Sequence, residues 1–141
     1  MLSTESMVAV VSRFGSYNKY HNKTTKTFDG NVHDSRKEAN RWSQLLLLER
    51  AGVISDLKRQ VRYELIPAQY ETYERYAKSG KRLKDGKRLV ERKCEYIADF
   101  TYRDSTSGET IVEDTKGVRT SEYIIKRKLL LFVHGIRIKE I

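Results

Sequence analysis

The sequence predicts an α/β domain: a mixed central sheet flanked by helices, with elements in the order helix, three strands, helix, strand. Three observations carry that prediction. Apolar residues recur at three- and four-residue steps in two segments that end on glycine, 34–52 and 119–135. Apolar and polar residues alternate through 57–66, 94–103 and 136–141. A polar turn, "DSTSG" at 104–108, sends the middle run straight back along "ETIVEDTK".

The elements follow in order. Residues 1–27 are polar and basic, with Lys, Asn, Thr and Tyr mixed in "YNKYHNKTTKT", and read as a loosely ordered arm ahead of a single domain over 28–141. The Asp-Gly step in "FDGN", 28–31, suits a small hairpin. In "DSRKEANRWSQLLLLERAG", Ser35 and Glu38 form a capping box. Ala39, Trp42, Leu45, Leu46 and Glu49 then keep a helical period up to Gly52, a good stop. Strand 57–66 sets Leu57, Val61, Tyr63 and Leu65 against Lys58, Gln60, Arg62 and Glu64, and Pro67 ends it. Residues 68–93 hold aromatics and then a basic cluster around two glycines, which fits a short helix plus a hairpin or an extended loop. Strand 94–103 is expected to place Tyr96, Ala98, Phe100 and Tyr102 on one face, with the return strand running to Gly117. The second helix is capped by Thr120 or Ser121 and stopped by Gly135, and "IRIKEI" closes the chain as a strand.

Composition narrows the function classes. A chain of 141 residues with 38% hydrophobic and 33% charged residues can bury one real core. Its single cysteine, Cys94, excludes a disulfide framework and a multi-cysteine zinc site, and a reducing cytoplasm fits. No apolar run is long enough to span a bilayer, so no membrane partner is expected. Lys and Arg number 28 against 19 acids, a net charge of +9 that points to a polyanion, with nucleic acid first. Charge serving solubility alone is the bland alternative.

Against that positive background, Asp99 and Asp114 occupy the two strands that flank "DSTSG". A turn centred on Thr106 and Ser107 pairs residues whose numbers sum to 213. Asp99 then faces Asp114, with Cβ atoms about 5 Å apart. Lys116, two residues on, shares their face. Like charges across a ladder repel, and a hard divalent cation such as Mg²⁺ would offset the repulsion. The same geometry fits a solvated face on which both acids pair with lysines. A slip of one residue would exchange the roles of Glu113 and Asp114.

"YIADF" followed by "VEDTKG" resembles the bipartite motif of the PD-(D/E)XK nuclease superfamily, an acid on one strand and acid-x-Lys on the next. Ala98 stands where the superfamily's name has Pro. The blocks "NKYHNKTTKT", "DSRKEANRW", "LKRQVRYEL", "YIADFTY" and "VEDTKG", taken in succession, resemble a family of small phage-encoded PD-(D/E)XK proteins related to Holliday-junction resolvases and TnsA-type transposase endonucleases. The resemblance covers most of 18–141 and weakens over the basic stretch 70–93, which has the character of an insertion.

This resemblance implies a restriction-endonuclease-like αβββαβ core and an active site of Glu38, Asp99, Asp114 and Lys116. Asp99, Asp114 and Glu38 would hold Mg²⁺, for which Mn²⁺ could substitute, and Lys116 would act on the phosphate or the attacking water. As a capping-box residue, Glu38 also has a purely structural explanation. It implies a metal-dependent endodeoxyribonuclease, with branched-DNA resolution by a homodimer as the first expectation and a nicking or restriction-like endonuclease as the second. A non-catalytic nucleic-acid-binding domain on the same scaffold is the rival reading.

Phosphate contacts are expected from Lys78, Lys81, Arg82, Lys84, Lys87 and Arg88, and from Lys126 beside the site, with Arg127 facing solvent. Tyr17, Tyr20, Tyr70, Tyr73 and Tyr76 could stack on bases or simply pack. Gln60 is a surface glutamine or a support for the site. His21, His33 and His134 lack metal-ligand spacing and read as surface, turn or cap residues, and Cys94 as a packed thiol.

Overall fold

The computed structural model describes residues 23–141, so most of the expected arm, with Tyr17, Tyr20 and His21, lies outside the described residues. The chain divides into two compact units, Met1–Asn40 and Arg41–Ile141. In the first, β1 (Thr25–Lys26) and β2 (Val32–His33) pair antiparallel around the Asp29–Gly30 turn. The Asp29 carboxylate holds that turn by accepting from the Asn31 amide at 3.2 Å and its Nδ2 at 2.7 Å. Helix α1 (Arg36–Arg50) starts in this unit, with Ser35 Oγ accepting the Glu38 amide at 3.1 Å, and its remaining turns belong to the second unit.

The second unit holds β3 (Ile54–Ile66), β4 (Gln69–Tyr76), β5 (Arg82–Glu91), β6 (Cys94–Asp104), β7 (Thr110–Asp114), α2 (Ser121–His134) and β8 (Ile138–Glu140). Four strands form a sheet in the order β3-β6-β7-β8, antiparallel except for the parallel β7–β8 pair. This is a mixed α/β architecture with a mixed sheet and two helices. With the β4–β5 hairpin set aside, its order is the expected helix, three strands, helix, strand. Thr120 caps α2, its Oγ1 accepting the Tyr123 amide at 3.2 Å. Gly135 ends the helix at φ +68°, the left-handed conformation that glycine adopts without a Cβ clash.

Two apolar clusters fill the core of this unit. Leu65, Tyr96, Ala98 and Val112 pack with Tyr123 and Leu130 of α2. Ile54, Phe100 and Tyr102 pack with Trp42 and Leu45 of α1, where Trp42 stacks on Phe100 at 5.5 Å between ring centroids. Ile111 joins the second cluster and its neighbour Val112 the first, so the clusters lie on opposite faces of the sheet. Leu45, Phe100 and Leu130 are wholly buried, and each contributes about 1.5–3 kcal/mol.

Strict alternation would keep Tyr96, Ala98, Phe100 and Tyr102 on one face. Instead the first two belong to the α2 cluster and the last two to the α1 cluster. Strand β3 changes face with its neighbour: Leu57 packs with the α1 cluster, Tyr63 and Leu65 with the α2 cluster. The change falls at Gln60 and Asp99, between the Arg59–Phe100 and Val61–Ala98 pairs. Gln60 is left-handed there, at φ +54°, which costs a non-glycine residue about 1–2 kcal/mol. By this reversal one long strand pair supplies side chains to both helices.

Residues 68–93 contain no helix. They form the β4–β5 hairpin, a separate two-stranded sheet in which every strand residue except Gly86 is exposed.

Candidate active site

Strand β7 ends in Glu113 and Asp114, two wholly buried acids. Its pairs with β6 run Phe100–Glu113, Thr101–Val112, Tyr102–Ile111 and Arg103–Thr110, each summing to 213, as the turn residues predicted, so no slip exchanges the two acids. The ladder stops at Phe100–Glu113, and Asp99 and Asp114 stand one step beyond it. Rather than continuing the ladder, Thr115 caps Asp99: its amide and its Oγ1 each donate to Asp99 Oδ2 at 2.8 Å. Asp99 is half-buried.

Asp114 Oδ2 accepts the Tyr96 hydroxyl at 2.5 Å, and Lys116 Nζ lies 3.1 Å from Oδ1. That last approach has the distance of an ion pair without the angles of a hydrogen bond, and Oδ1 is a buried oxygen that accepts none. Burial pushes the Asp114 carboxyl up to about 6, and the nearby Asp99 charge adds to the shift, which Tyr96 and Lys116 only partly oppose. Burial and the same carboxylate hold the Tyr96 phenol well above its usual range.

Lys116 Nζ also lies 4.6 Å from the Tyr123 ring centroid, a cation–π contact that steadies the ammonium on α2. Lys116 and Lys126 line one cavity of about 290 Å³ with Tyr96 and Tyr123. Lys126 is held by Glu122 at 2.9 Å. Arg127 departs from the expectation of a solvent-facing residue. It is half-buried, bonded to Glu140 at 3.0 Å and set over the Tyr123 ring, because the end of β8 passes beside this turn of α2.

Glu113 occupies the other face of β7. Arg41 Nε and Nη2 donate to its two oxygens at 2.8 and 2.6 Å, and the Tyr102 hydroxyl donates at 2.5 Å. Burial would raise this carboxyl, but Arg41 and Tyr102 outweigh it and hold Glu113 below the usual carboxylate range. Gln60 is exposed and level with Asp99 across the β3–β6 pair.

In the first unit Glu38 is buried, with Oε1 3.3 Å from His33 Nδ1, while His33 Nε2 lies 3.3 Å from Thr27 Oγ1. His33, read as a surface, turn or cap residue, is 1% exposed on the short β2 that follows the turn. His134 holds the Glu64 carbonyl at 2.6 Å and meets the Tyr63 ring edge-on, tying the end of α2 to β3. Sequence reasoning missed Tyr96, Tyr102 and Arg41 as partners of the buried acids. The tyrosines read as core positions, and nothing local linked Arg41 to a strand 72 residues away. Lys78, Lys81, Arg82, Lys84, Lys87 and Arg88 all fall on the exposed hairpin. Among the described residues no group of three or more His, Cys, Asp or Glu gathers as a metal cluster, and no helix is long and apolar enough to cross a membrane.

The second unit is therefore a mixed α/β domain with two carboxylates and a lysine set at the end of its central strand pair. The chain belongs to the family described as Protein of unknown function (DUF1064), whose model matches residues 17–137. No curated protein and no solved structure matches it.

Proposed function

We propose that this protein is a metal-dependent endonuclease that hydrolyses DNA phosphodiester bonds on a restriction-endonuclease-like αβββαβ core of the PD-(D/E)XK kind, acting on branched DNA as Holliday-junction resolvases do. One observation carries the reading: Asp114 Oδ1, buried and without a hydrogen bond, beside a second carboxylate and a lysine. A buried acceptor left in that state is costly, and a divalent cation shared with Asp99 would satisfy it. The donor set fits Mg²⁺, which takes one or two carboxylates plus water and substrate phosphate, and Mn²⁺ fits the same oxygens. When bound, such an ion supplies positive charge to the phosphoryl oxygen and acidifies a water.

The chain's own residues do the rest. Thr115 fixes the Asp99 carboxylate through Oδ2, and Tyr96 fixes Asp114 through Oδ2, so both acids meet the ion pre-oriented. Lys116, steadied over Tyr123, donates to the phosphoryl oxygens as charge grows on them. Lys126 adds a second positive group on the cavity that Lys116 lines. Two symmetric nicks at a four-way junction require two active centres, so the working form is a two-fold dimer.

The test compares Mg²⁺-dependent cutting of four-way junction, flap, single-stranded and linear duplex DNA by the purified chain. Junction cutting that disappears in Asp99→Ala and Lys116→Ala while DNA binding persists is the expected result. Cutting at the wild-type rate by either variant would reject the assignment.

A further inference from the structure

The β4–β5 hairpin is built as an arm. Its eight- and ten-residue strands pair only with each other, and at about 3.4 Å per residue the shorter spans about 27 Å. Both of its faces are exposed, although such a ribbon gains little stability alone in water. Residues 69–91 carry seven Lys and Arg against four acids. Three of those acids are engaged within the arm, Glu71 by Arg88 and both Glu74 and Asp85 by Arg82. Arg75, Lys78, Lys81, Lys84 and Lys87 make no ion pair among the described residues.

The aromatic residues show which polyanion suits this arm. Tyr73 sits against Gly86, where an added Cβ would fall 2.4 Å from the ring, so the glycine exists to let the ring lie flat on the ribbon. Arg88 covers Tyr73 at 5.9 Å and Lys87 covers Tyr70 at 5.4 Å. Tyr70 and Tyr73 are thus each engaged by a cation of the arm itself, which leaves the unpaired lysines as the groups that meet the polyanion. Cations on both faces of a narrow ribbon suit a groove walled by phosphates on each side, and the major groove admits a two-stranded ribbon.

We propose that the β4–β5 hairpin is a duplex-binding arm that enters the DNA major groove and grips its phosphate walls through Lys78, Lys81, Lys84 and Lys87. The inference rests on the proposed function only for the choice of DNA as the polyanion. Binding is therefore measured with the full chain in EDTA, where no cleavage contributes, on a labelled duplex and on single-stranded DNA of the same length over a range of salt. The variant replaces the four lysines by alanine, and its melting temperature is recorded to establish that it folds. The wild type should prefer duplex and protect guanine N7 from dimethyl sulfate. The variant should lose that protection and bind duplex roughly tenfold or more weakly, its salt slope falling by about 0.9 for each phosphate contact removed. Unchanged duplex affinity and slope in a folded variant would overturn the proposal, as would a wild type that prefers single strands or leaves N7 open. Duplex binding is read in EDTA and cleavage in Mg²⁺, so the two readings fail separately.

Discussion

Glu113 and Asp114 are neighbours in one strand and equally buried, yet the two faces of the sheet treat them in opposite ways. On the α1 face Arg41 reaches Glu113 with two donors and Tyr102 adds a third, and the acid is held ionised. On the α2 face a tyrosine again takes one oxygen, but the cation is the single ammonium of Lys116, 3.1 Å from the other, and the carboxyl is pushed up to about 6. A buried acid with all its partners holds a fold together. One kept short of a partner, beside a second acid, is the arrangement of a site that expects a ligand.

Breaking the structural side should have the largest effect. Arg41→Ala leaves Glu113 buried and ionised without its fork, and denaturant unfolding should register a loss of about 3–5 kcal/mol. Lys116→Ala is the matching change on the other face. It should cost less in stability than Arg41→Ala, because the raised Asp114 carboxyl can take up a proton in place of the lost ammonium, while Mg²⁺-dependent cutting falls by about 10²-fold or more in single-turnover assays.

The raised Asp114 carboxyl sharpens the contrast through pH. Its folded value of about 6 lies above its ordinary 3.8, so protonation favours the fold. That contribution is fully present below about 3.8 and is lost as pH rises through about 6. Without metal, Asp114→Asn should therefore melt higher than the wild type at pH 8, by a margin that narrows toward pH 4 as the wild type takes up its proton. Melting curves at the two pH values check this, and a margin independent of pH would contradict it. The smallest effect belongs to Gln60. Gln60→Gly should relieve the left-handed strain and stabilise the protein by up to about 1 kcal/mol in the same assay.

Much of this was legible in the chain. "DSTSG" fixed the 213 register, and with it the separation of Glu113 from Asp114 onto opposite faces. Thr120 and Gly135 marked both ends of α2. The face reversal at Gln60 and Asp99 was not legible, because a glutamine gives no signal of a left-handed backbone and an alternating run looks continuous across it. A hairpin was one reading of 68–93, but its full length, in place of a short helix, was not legible: a ribbon wet on both faces has no buried side to impose an apolar alternation. The partners of the buried acids were hidden because Arg41 and Glu113 meet only after folding.

The most direct measurement of the central claim is Mn²⁺ binding to the purified protein, followed by electron paramagnetic resonance. The account predicts that the wild type and Glu113→Gln both take up the ion, while Asp99→Asn and Asp114→Asn do not. Equal uptake by all four proteins, or uptake lost only when Glu113 changes, would contradict it.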